Sequence, residues 1–155
     1  MSDKLVTVSL RQVKDFQFEI NYGDGLPVLL ADEPPPLGAG LGPTPSQLLA
    51  SAVGNCLSDS LLFALRKFKQ SPEPITTQVR AEVGRNPEGR MRVLAIHTDL
   101  QLGVNAAALE QLDRILPQFE SFCTVSQSVG AGIALHNRVL DAGGALLYES
   151  GAAST

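Results

Sequence analysis

From Leu5 to Leu10 apolar and polar side chains alternate, with Val6, Thr7 and Val8 branched at Cβ. That pattern predicts a half-buried strand. Phe16, Phe18 and Ile20 alternate with Gln17 and Glu19 and predict a second strand. Gly23-Asp24-Gly25 marks a turn, and Leu26 to Leu30 predicts a third, with Pro27 confined to its start or to a sheet edge. Asp32 to Pro43 reads as a loop, with Pro34-Pro35-Pro36 expected to be extended and Gly38, Gly40 and Gly42 adding freedom. The glycine spacing lacks the final offset of a dinucleotide motif, and no Gly-Lys-Ser/Thr follows.

Thr44-Pro45-Ser46-Gln47 carries a capping threonine, proline at the first helical position and glutamine three residues after the cap. A helix is predicted from Pro45 to about Lys69, roughly 38 Å long at 1.5 Å per residue. Leu, Ala, Val, Phe, Cys and Gly occupy nearly every side of it between Leu48 and Leu65, which predicts burial all round. One small domain can hardly surround such a helix, so the pattern hints at a dimer with this helix in its core. Arg66, Lys67 and Lys69 suit the helix C-terminus, and Pro72 and Pro74 stop it.

Strands are predicted at Thr76–Gly84 and Arg90–Leu100, joined by the turn Asn86-Pro87-Glu88-Gly89. Asn105 to Phe122 reads as helix, with Leu109, Leu112, Ile115, Leu116 and Phe119 on one face. Pro117 should kink it or end it near Leu116. Gly132–Leu140 is the last predicted strand. The expected organisation is a single domain over 1–140 and a loose C-terminal tail over 141–155. Three strands, a long helix, a hairpin, a helix and a strand give an α+β fold with mainly antiparallel sheet.

Composition narrows the function. The chain has 155 residues, 44% hydrophobic and 18% charged, which excludes a disordered chain. Net charge is −4 and the pI about 5.1, with no basic face, so a nucleic-acid partner is not expected. No uninterrupted apolar run approaches the roughly 18 residues of a membrane span, and Met1-Ser2-Asp3-Lys4-Leu5 has no leader-like apolar region. A cytoplasmic protein with no membrane partner is expected. The two cysteines, Cys56 and Cys123, are too few for a disulfide scaffold and read as buried, metal-bound or reactive.

Cys56 lies in the third or fourth turn of the long helix, beyond the reach of the helix dipole. It is therefore a small core hydrophobe or a nucleophile activated by a cation from elsewhere. Cys123 follows the second predicted helix, where Thr124 could cap a short turn and free N–H groups would favour a thiolate; the alternative is an inert buried cysteine. His97 and His136 are isolated, without the close spacing of zinc ligands, and read as ordinary sheet histidines. Asp59 and Asp113 read as solvated or ion-paired helix charges.

Gly42-Pro43-Thr44-Pro45-Ser46-Gln47-Leu48-Leu49-Ala50-Ser51-Ala52-Val53-Gly54-Asn55-Cys56, with the later Phe122-Cys123-Thr124-Val125-Ser126, resembles the OsmC/Ohr family of osmotically inducible and organic hydroperoxide resistance proteins. The resemblance spans nearly the whole chain. It implies an intertwined homodimer with two sites at the subunit interface, and no metal, haem or other cofactor. It implies that Cys56 attacks the hydroperoxide and becomes a sulfenic acid, that Cys123 resolves it as a disulfide, and that an external dithiol reduces that disulfide. The family places an arginine from the N-terminal sheet beside the thiolate. Arg11 and Lys14 are the candidates here, with Arg11 preferred for its planar guanidinium. The disulfide requires the two Cα atoms to come within roughly 4.4–6.8 Å.

Two features depart from the family. Ser46 stands where peroxidase members carry a glutamate that holds the arginine, and the glycine-flanked Arg-Asp signature is absent. Glu33 could substitute from the loop, or be plainly solvated. The expected function is reduction of organic hydroperoxides. The alternative is a non-catalytic dimer that binds an apolar or acyl ligand.

Overall fold

The computed structural model describes residues 3–151. Met1 and Ser2, and residues 152–155 of the expected tail, lie outside the described residues. The chain divides after Leu48 into two compact units.

The first unit is a three-stranded antiparallel sheet in the order β1 (Ser9–Lys14), β2 (Gln17–Asn21), β3 (Leu29–Ala31). β1 begins four residues later than the alternation suggested. The last rung pairs Ser9 with Asn21, where β2 gives way to the Gly23 turn, so Leu5–Val8 have no strand to bond. β3 starts only at Leu29, two residues after Pro27, which has no N–H to give a ladder. The prolines are not extended. Residues 35–37 turn, the Pro35–Pro36 peptide is cis, and Gly38 N–H bonds the Pro34 carbonyl at 3.1 Å. Asp32 organises this loop. Its buried carboxylate accepts from the N–H groups of Glu33 (2.8 Å), Ala39 (3.1 Å) and Leu41 (3.1 Å). Gly38 is required here by close approach rather than freedom, because a Cβ would lie 2.2 Å from Asp32 Oδ1 and from the Glu33 carbonyl oxygen.

The helix α1 (Pro45–Lys67) starts with the expected reciprocal cap. Gln47 N–H bonds Thr44 Oγ1 at 3.2 Å, and Thr44 N–H bonds Gln47 Oε1 at 2.9 Å. It closes through Lys69 in the left-handed region at φ 60°. The helix is not buried all round. Within this chain the buried stripe is Val53, Gly54, Leu57, Ser60, Leu61, Ala64 and Leu65, and Phe63 stays 57% exposed. By length and a mean hydropathy of 1.5 over its best window, α1 could cross a membrane. Its buried stripe in the protein core explains that composition.

The second unit carries a four-stranded sheet in the order β4 (Thr76–Arg85), β5 (Met91–Gln101), β6 (Ala134–Leu140), β7 (Leu146–Ser150). β4 and β5 form the expected hairpin, while β5 and β6 pair in parallel. The stretch from Asp141, expected to be loose, turns tightly and returns as β7 against β6. Asp141 drives the turn by accepting from Ala106, Gly143 and Ala145 N–H groups at 2.9–3.1 Å. α1 meets β4 at Gly54, where a Cβ would stand 2.4 Å from Val79 Cγ2. Next to it Ser58 Oγ and Thr77 Oγ1 share a 2.6 Å hydrogen bond. The α1 stripe packs into a core with Ile96, Leu100, Ile115, Phe119 and Val139.

The single helix expected over Asn105–Phe122 is instead broken into short pieces. A 3-10 turn at Ala106–Ala108 ends at an extended Leu109, and α2 (Leu112–Ile115) follows a left-handed Gln111. A second 3-10 turn spans Phe119–Phe122, and α3 covers Thr124–Val129. Pro117 does end α2, as expected, since its nitrogen has no proton to offer the next turn.

Three carboxylates make the fold acid-sensitive. At Asp32 burial opposes the charge, but the N–H donors of Leu41, Glu33 and Ala39 and the Gln17 amide outweigh it and hold the carboxyl below its usual range. The Arg138 guanidinium, with Arg80, does the same for Asp99 against burial. Backbone donors led by Ala106 and Ala145 do so for Asp141. Each group titrates lower folded than unfolded. Their contribution is therefore complete above the unfolded value, about pH 4, and is lost as pH falls through the lowered values. Thermal melts should be flat with respect to these groups from pH 7 to about 5 and should fall steeply below about pH 4. Asp32→Asn should flatten part of that fall.

Candidate functional site

Cys56 and Cys123 come together. Cys56 projects half-buried from the middle of α1, and Cys123 is fully buried at the start of α3. The cap of α3 is Cys123 itself, not Thr124, and its Sγ accepts from Ser126 N–H at 3.4 Å. Burial pushes the Cys123 thiol up, the Ser126 hydrogen bond pulls it back, and the adjoining Cys56 thiol pushes it up again. The two thiols thus stand close enough to act on each other.

The turn that presents Cys123 is pinned from the sheet. Cys123 N–H bonds the Glu120 carbonyl oxygen at 3.0 Å. Glu120 Oε1 accepts from Asn137 Nδ2 on β6 at 2.7 Å and from the Ser150 hydroxyl on β7. The β7 residue Ser150 therefore helps to hold Cys123 in place.

A cavity of about 330 Å³ opens over Cys56, lined by Asp59, Ser60, Phe63 and Phe122. Cys56, Asp59, Ser60 and Phe63 are i, i+3, i+4 and i+7, one face of α1. Phe63 and Phe122 meet edge to face at 5.9 Å, and the Lys67 ammonium lies 6.0 Å from the Phe122 ring centre. Sequence reasoning read Asp59 as a solvated or ion-paired charge, and gave Phe63 and Phe122 no part in the site. The helical spacing from Cys56 was the available signal for the first two, but Phe122 is brought there only by the fold.

Arg11 and Glu33 belong to the first unit. Arg11 is 73% exposed on β1, and its guanidinium pairs at 2.7 Å with Glu19, directly opposite on β2. The carboxylate on this arginine is thus Glu19, which hairpin register could have supplied. Glu33 lines an apolar cavity of about 240 Å³ in the same unit, with Leu10, Phe18 and Leu48. Lys14 ends β1.

His97 and His136 are register partners on β5 and β6, their rings stacked at 4.7 Å, and His97 Nε2 lies 2.8 Å from Glu82. Among the described residues no three His, Cys, Asp or Glu side chains converge as metal ligands.

A paired-thiol site at the start of a short helix, beside a long core helix packed on a four-stranded sheet, defines a cysteine-pair α+β protein. The sequence pattern of the OsmC-like proteins matches residues 38–136, and this chain belongs to that family. Solved structures agree on the fold. An OsmC-like protein from Vibrio cholerae is 20% identical, with 90% of this chain and 100% of that one covered at a TM-score of 0.71. The organic hydroperoxide resistance protein OsmC from Legionella pneumophila is 18% identical, covering 88% and 98% at 0.67. An organic hydroperoxide resistance protein from Elizabethkingia anophelis is 17% identical, covering 89% and 98% at 0.66. Among curated proteins none is significantly similar in sequence.

Proposed function

We propose that this chain reduces organic hydroperoxides with its cysteine pair. The observation that carries the reading is the pairing itself: a cavity-lining Cys56 beside a buried Cys123, brought together from distant parts of the chain. Family membership and the names of the Legionella and Elizabethkingia proteins support it.

The Cys56 thiolate attacks the outer peroxide oxygen, the O–O bond breaks, and the alcohol leaves with a proton. Cys56 becomes a sulfenic acid. Cys123, held as a protonated thiol by burial, then displaces hydroxide from the sulfenic sulfur; its own proton completes the water that leaves, and a disulfide forms. An external dithiol returns both cysteines to thiols. Phe63 and Phe122 give the cavity an oily wall suited to the organic part of the substrate.

Arg11 is the cation assigned to the thiolate, oriented by Glu19, with Glu33 a second carboxylate from the loop. The protein works as a homodimer. The uncovered side of α1 and the exposed Leu10, Val13 and Phe16 of the first sheet are what a second copy would bury. Its place is the cytoplasm, where dithiol reductants keep the pair reduced. Cumene hydroperoxide should disappear catalytically when dithiothreitol is present, and only stoichiometrically without it. No consumption in either case would overturn the reading.

A second reading, binding of an apolar or acyl ligand without turnover, is favoured by the apolar cavity beside Glu33. Saturable binding of a fatty acid by a protein with no peroxide turnover would support it.

A further inference from the structure

Glu120 ties the turn that carries Cys123 to three other elements. Its carbonyl oxygen accepts from Cys123 N–H at 3.0 Å and from Gln127 Nε2 on α3 at 3.1 Å. Its carboxylate Oε1 accepts from Asn137 Nδ2 at 2.7 Å and from the Ser150 hydroxyl, two register partners on β6 and β7. The Tyr148 phenol, also on β7, is pushed up by burial and then by the Glu120 charge, so it faces the same carboxylate. Among the described residues no cation pairs with Glu120, and the carboxylate is committed to the sheet. Asn137 and Ser150 lie beyond the residues 38–136 that the family pattern matches, so the sheet half of this anchor is outside that pattern.

The segment it anchors is otherwise lightly held. α3 has six residues, and its cap is the Cys123 side chain, whose Sγ accepts from Ser126 N–H at 3.4 Å. That same sulfur has to come within about 2 Å of the Cys56 sulfur when a disulfide forms. The Glu120 bonds hold the turn without using the reacting atom.

We propose that Glu120 is a positioning residue for the resolving step: with Asn137 and Ser150 it keeps Cys123 beside Cys56, so that a Cys56 sulfenic acid is captured as a disulfide before a second hydroperoxide oxidises it further. The inference rests on the peroxidase reading for its oxidant, but the positioning can be measured with glutathione alone. In capture, the Cys123 sulfur bonds the Cys56 sulfur, and hydroxide leaves with the Cys123 proton as water. In the competing step the sulfenic sulfur takes an oxygen from a second hydroperoxide, which departs as the alcohol and leaves a sulfinic acid. Holding Cys123 in place speeds the first step and does nothing for the second.

The test uses the full chain as wild type, Glu120→Ala, Glu120→Gln and Ser150→Ala. Ser150→Ala removes one donor at the end of β7 and carries the test should Glu120→Ala fail to fold. Each protein is equilibrated in a buffer of reduced and oxidised glutathione, and the fraction with a Cys56–Cys123 disulfide gives the effective concentration of one thiol at the other. Glu120→Ala should lower that value about tenfold or more. Ser150→Ala should lower it less, and Glu120→Gln, which keeps an oxygen facing the same donors, should recover most of the loss. An unchanged equilibrium in the folded variants overturns the proposal.

The second arm adds excess cumene hydroperoxide without reductant and reads intact mass. The ratio of sulfinic acid to disulfide does not depend on how fast Cys56 is first oxidised. Wild type should lose two hydrogens, whereas a growing share of Glu120→Ala should gain two oxygens at Cys56. A lowered glutathione equilibrium with no hydroperoxide consumed by any of the proteins would reject the peroxidase reading and leave the positioning role standing. Hydroperoxide consumption with the wild-type product ratio in every folded variant would reject the positioning role and leave the peroxidase reading.

Discussion

Cys56→Ser is expected to bring hydroperoxide consumption down to the uncatalysed background, with the fold intact. Cys56 is the thiol that lines the cavity, whereas Cys123 is fully buried. Serine keeps the volume and removes the nucleophile, because a hydroxyl does not ionise near neutral pH. Cys56 is half-buried and at the edge of the core, so the exchange should leave the denaturation midpoint nearly unchanged. Turnover with cumene hydroperoxide and dithiothreitol checks the first expectation, and chemical denaturation the second. Retention of more than a small residue of turnover would mean that Cys56 is not the attacking thiol.

The largest stability effect is expected at Phe119. Its ring is completely buried, meets Tyr148 edge to face at 5.5 Å, and joins the core formed by α1, β5 and β6. Truncation to alanine removes that burial and leaves a cavity, a loss of about 3–5 kcal/mol. Against a typical total of about 5–15 kcal/mol, this is a large part of the stability. Phe119 also opens the 3-10 turn that leads into Cys123, so Phe119→Ala should loosen the thiol pair as well. Urea denaturation should show the midpoint falling sharply. A loss below about 1 kcal/mol would mean that the core repacks around the gap.

Where local chemistry decides structure, the residues declared it. Thr44, Pro45 and Gln47 announced the start of α1, and both predicted strands flanking Asn86–Gly89 form the hairpin. Where a distant partner decides, they did not. Leu5–Val8 alternate like a strand, yet pairing fails because β2 has ended. The 105–122 stretch has helical spacing, but Leu109 and Phe119 serve the core from separate short turns. β7 looked like a glycine-rich tail because its value lies in contacts with β6 and Glu120.

The site divides in the same way. The meeting of Cys56 with Cys123 followed from motif resemblance, since nothing local links residues so far apart. Glu19 as the partner of Arg11 needed the hairpin register, and Asp59 needed the cavity before a surface charge could be read as part of a site.

The most direct measurement is intact mass after one equivalent of cumene hydroperoxide, on the wild type and on Cys123→Ser, with and without dithiothreitol. The wild type should lose two hydrogens and regain them with dithiothreitol. Cys123→Ser should instead gain a single oxygen at Cys56. If both proteins stay fully reduced while hydroperoxide remains in solution, the cysteine pair is not a peroxide-reducing centre.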